Sequence, residues 1–367
     1  MSTSDHPPPP PPPPPPTKNH RLRRRLLCIT SCTLMAVGTV GGPLLIRLYF
    51  SHGGSRKWLS SWLQTAAFPI ILLPLSFLYS SSSSASSPFF AEPRLVFASA
   101  LIGLISGLTN FMYSEGLSYL PVSTSSLLYS TQLPFTAVFA FFMVKQRFSF
   151  FSVNTVALMT LGAVLLAIRK DGDRPPGVSG SQYTVGFVVT VLSAALLGLI
   201  FPCIQLSYAK AKRVLTYAVV LQFQLGVSVF ATVFCTVGML ANHDFAAIPR
   251  EAKAYDLGET KYYIVLVATA VLWQFSFIGT AGTIFYTSSL FAGVYTSLLL
   301  PFTEVAAVIA FRESFSGEKG MAMALCLWGF VSYFYGVYKE GKGSPTTTSE
   351  TAKEAEMGET RGPEDAV

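Results

Sequence analysis

Glu304, in the sequence LLPFTEV, is the residue of this chain best suited to proton chemistry. It lies in a run from Ile284 to Phe311 that contains no other charged residue. An ionised carboxylate in the interior of a membrane costs about 3 kcal/mol on insertion scales. We therefore expect Glu304 to take up and release a proton; the alternative is a structural hydrogen bond to a neighbouring helix. Glu115 is a second proton-coupling candidate, but it lies near the end of its apolar run and could reach the interface.

Polar and aromatic side chains recur at helical spacing in the same apolar runs. Tyr129 and Gln132 share a face with Ser125 and Thr136, because helical residues three or four positions apart lie on one side. Aromatic rings stack on a flat heterocycle, while amides and a carboxyl group bind the donors and acceptors at its edge. Each single amide could equally join two helices. The candidate ligand-binding residues are Asn110, Tyr113, Tyr129, Gln132, Trp273, Gln274, Phe277, Tyr295, Thr303 and Glu304.

These residues must be positioned by membrane helices. Of the 367 residues, 51% are hydrophobic and 12% are charged, whereas soluble domains contain roughly 25% charged residues. Ten apolar runs have about the length, roughly 20 residues, that crosses a bilayer. They span residues 27–50, 58–79, 95–115, 121–144, 150–168, 183–206, 214–240, 262–280, 284–311 and 320–338, and only GTAGT separates the eighth from the ninth. The sequence predicts an all-α integral membrane protein with ten transmembrane helices.

The basic residues predict the orientation of these helices. The cluster RLRRR at residues 21–25 precedes the first run and, by the positive-inside rule, places both termini in the cytosol. We expect residues 1–26, with ten consecutive prolines, and residues 339–367 to be disordered cytosolic tails. The serine-rich segment at 80–87 predicts a flexible cytosolic loop. Because the net charge of +7 resides in tails and short loops, nucleic acid is not an expected partner.

Two copies of one sequence indicate an internal duplication. QLPFTAVFAFFMVKQRFS at 132–149 matches LLPFTEVAAVIAFRESFS at 299–316 at a constant offset, which also relates Gly162 to Gly329. Residues 27–168 and 183–338 each contain five runs, and this odd number makes the two halves cross the membrane in opposite directions. Inverted repeats of this kind place substrate sites near the membrane midplane.

The two copies share a proline that interrupts helical hydrogen bonding. Pro134 and Pro301 have no N–H to donate, so we expect the carbonyls of Ser130 and Ser297 to lack their usual partners. Such carbonyls either face a hydrated cavity or belong to a structural kink that packs on neighbouring helices. The two prolines are therefore predicted helix breaks.

The chemistry missing from the runs disfavours several functions. Lys and Arg lie only at their ends, as Arg47 and Arg312 do, whereas a carrier of phosphorylated compounds needs cations in its cavity. The chain has no Walker A loop, no HExxH motif and no paired carboxylates within the runs. We therefore expect neither an enzyme nor an ATP-driven pump, and neither a cofactor nor a metal. The five cysteines fall in apolar runs and are expected to be small buried hydrophobes.

Three long stretches resemble the plant purine permease family of the drug/metabolite transporter superfamily. They are GGPLLIRLYFSHGGSRKWLSSWLQTAAFP at 41–69, YSEGLSYLPVSTSSLLYSTQLPFTAVFAFFMVKQRF at 113–148 and SLLLPFTEVAAVIAFRESFSGEKG at 297–320. The resemblance covers residues 26–340 and implies the drug/metabolite transporter fold, with ten helices in two inverted five-helix repeats. It also implies proton-coupled import of adenine, cytokinins such as trans-zeatin and related compounds.

The resemblance leaves the substrate open, because family members also move other small heterocycles such as caffeine, nicotine or pyridoxine. We expect alternating access around a site between the halves, in the plasma membrane, with the vacuolar membrane and the endoplasmic reticulum as competing locations. One alternative is an exporter of amino acids or other metabolites. The other is a membrane receptor or scaffold that binds a ligand without transporting it.

Overall fold

The computed structural model describes residues 18–80, 92–145, 149–167, 177–211, 216–312 and 317–343. Every regular element in these ranges is helical. The polyproline run, the serine-rich segment after residue 80 and the chain after residue 343 lie outside them. Residues 18–26 and 339–343, which the sequence analysis assigned to the tails, belong to the first and last helices. The basic cluster extends the first helix because arginine and leucine are good helix formers.

The helices follow the apolar runs of the sequence. They are α1 (Lys18–Ser51), α2 (Lys57–Ala66), α3 (Leu72–Ser80), α4 (Pro93–Tyr119), α5 (Val122–Tyr129), α6 (Gln132–Val144), α7 (Phe150–Ala167), α8 (Gly180–Ala209), α9 (Tyr217–Ala241), α10 (Asp244–Ala254), α11 (Glu259–Tyr286), α12 (Ser289–Phe311) and α13 (Gly317–Gly343), with a 3-10 helix at Phe68–Ile71. In the described ranges, seven helical segments are long and apolar enough to cross a membrane. Large apolar side chains such as Phe97 and Ile309 are 73% and 76% exposed, as lipid contact requires.

Two of the predicted spans are interrupted helices. The second changes to a 3-10 helix at Phe68–Ile71, where Pro69 occupies the start of the new helix. The fourth divides into α5 and α6 at Ser130 and Thr131. The carbonyl of Ser130 accepts the N–H of Leu133 at 3.1 Å in place of the usual donor four residues along, so it is not left without a donor. Pro134 instead lies in the first turn of α6, where no backbone donor is needed.

The boundary between the eighth and ninth predicted spans is also wrong. GTAGT, residues 279–283, lies inside α11, and the break comes later, at Thr287 and Ser288. The hydroxyl group of Ser288 caps α12 by accepting the N–H of Phe291 at 3.1 Å. The small residues of GTAGT serve helix packing instead of a turn, because a Cβ at Gly282 would lie 2.3 Å from Oγ of Ser31 in α1.

Glycines bring α1 and α11 into backbone contact. A Cβ at Gly38 would lie 2.3 Å from the backbone N of Ser276, and one at Gly279 would lie 2.3 Å from the backbone N of Met35. Only glycine permits such an approach. This pairing also places the hydroxyl groups of Thr39 and Ser276 2.9 Å apart.

Helices α7 and α13 meet in a symmetric contact. A Cβ at Gly162 would lie 3.1 Å from the carbonyl O of Ala322, and one at Gly329 would lie 3.3 Å from the carbonyl O of Thr155. Gly162 and Gly329 are 167 positions apart, and so are Thr155 and Ala322. Each helix thus presents equivalent positions to the other, as two subunits do across a two-fold axis.

The two copies of the repeated sequence also end alike. Lys145 follows α6 with φ 52° and ψ 38°, and Arg312 follows α12 with φ 52° and ψ 37°. These residues are 167 positions apart, and both adopt the left-handed conformation that few non-glycine residues use. The duplicated sequence therefore has a duplicated backbone at its helix ends.

Candidate substrate-binding site

A cavity lies between α1, α4, α5, α8, α9, α11 and α12. It contains about 780 Å³ of space without atoms, including space open to solvent. Its described lining residues are Thr39, Pro43, Ser106, Thr109, Asn110, Tyr113, Tyr129, Leu197, Ile200, Phe201, Ile204, Gln224, Val227, Trp273, Ser276, Phe277, Thr280, Thr296 and Leu300. Because this set contains no Asp, Glu, Lys, Arg or His, the cavity favours an uncharged ligand.

The two halves of the chain contribute equivalent positions to this cavity. Helices α4 and α11 end at Tyr119 and Tyr286, which are 167 positions apart. The same separation relates five pairs of lining residues: Ser106 and Trp273, Thr109 and Ser276, Asn110 and Phe277, Tyr113 and Thr280, and Tyr129 and Thr296. The cavity is thus framed by corresponding positions of a repeated backbone.

The side chains break this symmetry. In four of the five pairs one member is aromatic and the other is a polar residue without a ring. The fifth pair, Thr109 and Ser276, has a hydroxyl group at both positions. A symmetric frame with unequal side chains suits a single asymmetric ligand that binds in one orientation.

The aromatic members of these pairs form one continuous cluster. Ring centroids are 4.6 Å apart for Tyr113 and Tyr129 and 5.8 Å apart for Tyr113 and Trp273. Phe277 continues the cluster, at 6.0 Å from Trp273. Rings at these distances are in the normal range of aromatic contacts, and they offer apolar faces to a planar ligand.

Comparison with known proteins decides the family. A family model described as purine nucleobase transmembrane transport matches residues 26–343. The chain belongs to the purine permease family. Purine permease 3 of Arabidopsis thaliana is 44% identical over 339 residues, which cover 91% of this chain and 97% of that protein. Purine permease 2 of the same plant is 46% identical over 333 residues, which cover 86% of this chain and 93% of that protein.

Membership of the purine permease family confirms the resemblance found in the sequence. The relatives are permeases, which are transporters and not enzymes, as predicted. The family and the apolar helices together identify a multi-pass membrane protein.

Five of the ten predicted ligand-binding residues line the cavity of this purine permease: Asn110, Tyr113, Tyr129, Trp273 and Phe277. The other five lie outside the lining. Gln132 donates its amide N–H to the carbonyl of Gly293 at 3.4 Å, and the hydroxyl group of Tyr295 donates to the carbonyl of Cys32 at 3.3 Å. Both contacts join two helices. Gln274, Thr303 and Glu304 are buried.

Glu304 lies one helical turn beyond the cavity wall. Thr296 and Leu300 line the cavity from α12, and Glu304 continues the same face at the next position four residues along. Its side chain is 0% exposed. Ala307, three residues further along α12, packs in a cluster with Trp273. Glu304 therefore lies next to the cavity lining along α12 without belonging to it.

Sequence reasoning missed several lining residues. Thr280 and Thr296 could have been found by applying the offset of the repeated sequence to Tyr113 and Tyr129. No motif or repeat in the sequence distinguishes Gln224 as a lining residue. Its amide donates to the hydroxyl group of Ser228 at 3.2 Å. Helix α8 contributes an apolar stripe of four residues that resembles a lipid-facing one in the sequence, namely Leu197, Ile200, Phe201 and Ile204.

A polar network joins the segment between α1 and α2 to α10. Arg56 forms ion pairs with Asp244 at 3.4 Å and Glu251 at 3.7 Å, and the side chains of these acids are only 0% and 8% exposed. Oε1 of Glu251 accepts the hydroxyl group of Tyr262 at 3.2 Å and also that of Tyr49. The network therefore ties α1 and α11 together at one end of the bundle.

Two further contacts belong to the same end of the molecule. The hydroxyl group of Tyr255 donates to the carbonyl of Leu48 at 3.1 Å, and burial raises the pKa of Tyr255, so it stays a donor at neutral pH. Glu115, the second proton-coupling candidate, pairs with the ammonium group of Lys57 at 2.6 Å. Tyr119 accepts a second hydrogen bond from the same group at 2.7 Å.

Proposed function

We propose that this chain is a proton-coupled secondary active transporter that imports purine nucleobases and their derivatives, such as adenine and the cytokinin trans-zeatin. The observation that carries the proposal is the uncharged cavity, which combines an aromatic cluster with amide and hydroxyl groups at equivalent positions of two halves. A nucleobase is neutral and planar and carries donors and acceptors on its edges, so it matches this lining. The family description and the names of the relatives support the same substrate class.

Ten transmembrane helices in two inverted repeats are the architecture we propose for this transporter. Besides the seven long segments, three shorter apolar helical segments lie in the described ranges, Gln132–Val144, Phe150–Gly162 and Gly320–Gly336. The matched pairs of α4 with α11 and of α7 with α13 support a duplication. Five spans in each half would give the halves opposite orientations and place the cavity near the midplane.

Glu304 is the residue that we propose couples transport to protons. Burial one turn from the cavity makes its charge expensive while it is ionised and allows its protonation to respond to occupancy of the site. Glu115 is less suited to this role, because it pairs with Lys57 near the end of its helix and its side chain is 20% exposed.

Alternating access requires that the two ends of the bundle open in turn. The network of Arg56 with Asp244 and Glu251 would hold one end closed, because separation of α10 from the α1–α2 segment would break both ion pairs. Buried acids that lose their partner are costly, so opening of this end needs compensation from substrate or proton binding.

The plasma membrane is the location that we propose, with both termini in the cytosol. The basic residues Arg23, Arg24 and Arg25 lie on the first turns of α1, before its apolar part, and by the positive-inside rule they favour the cytosolic side. The ion-pair network would then face the outside, because the segment between α1 and α2 follows one membrane crossing.

The test is uptake of labelled adenine and trans-zeatin into cells that lack their own purine carrier, in acidic and in neutral medium. Wild type should accumulate label faster in acidic medium, and Glu304→Gln should lose this stimulation with its surface level unchanged. Glu259→Gln is the matched control, because it makes the same change at an exposed position at the start of α11. A pH response retained by Glu304→Gln would assign Glu304 a structural role, and a wild type that accumulates neither compound would overturn purine import.

A further inference from the structure

Two buried hydrogen-bond donors in the cavity have no acceptor. Within the described part of the chain, Nδ2 of Asn110 and Nε1 of Trp273 are buried and make no hydrogen bond. Both residues line the cavity, and they are 5% and 8% exposed. Because buried polar groups in proteins are nearly always paired, a buried donor at a cavity wall indicates an acceptor on a ligand.

Neighbouring helices hold the two residues that carry these donors. The face of the five-membered ring of Trp273 lies against α1, since a Cβ at Gly42 would be only 2.8 Å from both Nε1 and Cε2. The backbone carbonyl of Asn110 accepts the amide N–H of Gln64 at 3.3 Å, which holds α4 against α2. Donors that are held before the ligand arrives lose little freedom on binding.

We propose that Asn110 and Trp273 select the substrate by donating hydrogen bonds to two different unprotonated ring nitrogens of a neutral heterocycle. The indole N–H can only donate, and the amide NH₂ of Asn110 is likewise a donor, so both groups demand an acceptor. A ring nitrogen without a proton supplies a lone pair, whereas a C–H at the same position keeps the shape and supplies none. This assignment rests on the proposed function, because it takes the cavity as the purine site.

The chemical contrast between adenine and its deaza analogues tests this assignment. Each of 1-deaza-, 3-deaza- and 7-deazaadenine replaces one ring nitrogen by C–H, and each competes with labelled adenine for uptake if it binds. Trp273→Phe removes the N–H and keeps an aromatic ring, and Asn110→Leu removes the amide and keeps the approximate shape. Trp328→Phe is the matched control, because Trp328 is 67% exposed on the outer surface.

We expect Trp273→Phe to weaken adenine binding about tenfold and to leave one deaza analogue unchanged, the one that lacks the nitrogen bound by the indole. Asn110→Leu should also weaken adenine binding, and it should leave the binding of a different analogue unchanged. Trp328→Phe should change the binding of none of the compounds. If each variant weakens adenine and all three analogues equally while uptake persists, the hydrogen bonds are overturned and the proposed function stands. If wild type at the cell surface takes up none of these compounds, the proposed function fails and this assignment fails with it.

Discussion

The two copies of the repeated sequence, residues 132–138 and 299–305, bury two successive positions alike and differ in their chemistry. Thr136 and Thr303 are both 0% exposed, and Ala137 is 7% exposed where Glu304 is 0% exposed. The first copy starts a new helix ahead of its proline, whereas α12 runs through Pro301 without a break. The two copies therefore share the burial of these positions, while the carboxyl group and the helix break each occur in one copy only.

The cavity shows the same difference between equivalent positions of the two halves. Asn110 and Phe277 occupy equivalent positions on α4 and α11, yet one can hydrogen bond and the other can only stack. A ligand with two chemically different sides, such as a nucleobase, can use both. The two halves thus share their backbone frame and differ in the side chains that, in the function we propose, bind the substrate and couple its transport to protons.

Transfer of the carboxyl group between the two copies should have the largest effect. In the variant Glu304→Ala with Ala137→Glu, we expect uptake of adenine to fall to background, because the charge then lies in the half that evolved without it. Introduction of a glutamate at the nearly buried Ala137 also costs about 3 kcal/mol. Ala137→Gln, which has similar size and no charge, is the control for surface expression. Acid-stimulated uptake by the transfer variant would show that the two copies are interchangeable.

Exchange of one aromatic–polar pair should have an intermediate effect. Asn110→Phe puts rings at both equivalent positions and Phe277→Asn puts amides at both, so each should raise the KM for adenine about tenfold. The double exchange should not restore the KM, because in the other pairs the aromatic and the polar residue keep their original halves. The hydroxyl pair serves as control, since Thr109→Ser with Ser276→Thr should leave KM unchanged. Full recovery in the double exchange would mean that the ligand can bind in two symmetric orientations.

Alanine at the symmetric contact of α7 and α13 should have the smallest effect. A Cβ at Gly162 or Gly329 would come no closer than 3.1 or 3.2 Å to a neighbour. Alanine also favours the helix by about 1 kcal/mol relative to glycine. We therefore expect Gly162→Ala and Gly329→Ala each to change the free energy of unfolding in detergent by less than about 1 kcal/mol, and by similar amounts.

Gly279→Ala provides the contrast for that measurement. Its Cβ would lie 2.3 Å from a backbone atom of α1, so destabilisation should exceed about 2 kcal/mol. Strongly different results for Gly162→Ala and Gly329→Ala would show that the contact between α7 and α13 is not symmetric.

The sequence predicted the apolar helices and five of the nineteen described lining residues of the cavity, because length, hydropathy and helical spacing are local properties. It predicted a helix break at the proline of each copy, but the first copy breaks at Ser130, ahead of Pro134, and α12 continues through Pro301, so the predicted break at Pro301 is wrong. It also placed a boundary at GTAGT, whose small residues pack against α1. The two halves of five runs already match α4 with α11, but equivalent positions such as Asn110 and Phe277 carry different side chains, so the shared lining is not evident from residue types.

The contact between α7 and α13 bears on how such a chain could arise. Each half carries both sides of the contact. One side is a glycine, and the other, two helical turns before it on the same face, is the residue on which the glycine of the other half packs. Two identical short polypeptides, inserted in opposite orientations, could therefore pair through this face as an antiparallel homodimer. Fusion of their genes would then allow each copy to change independently. One copy could then acquire a carboxyl group without a second, repelling carboxyl group at the equivalent position of the other.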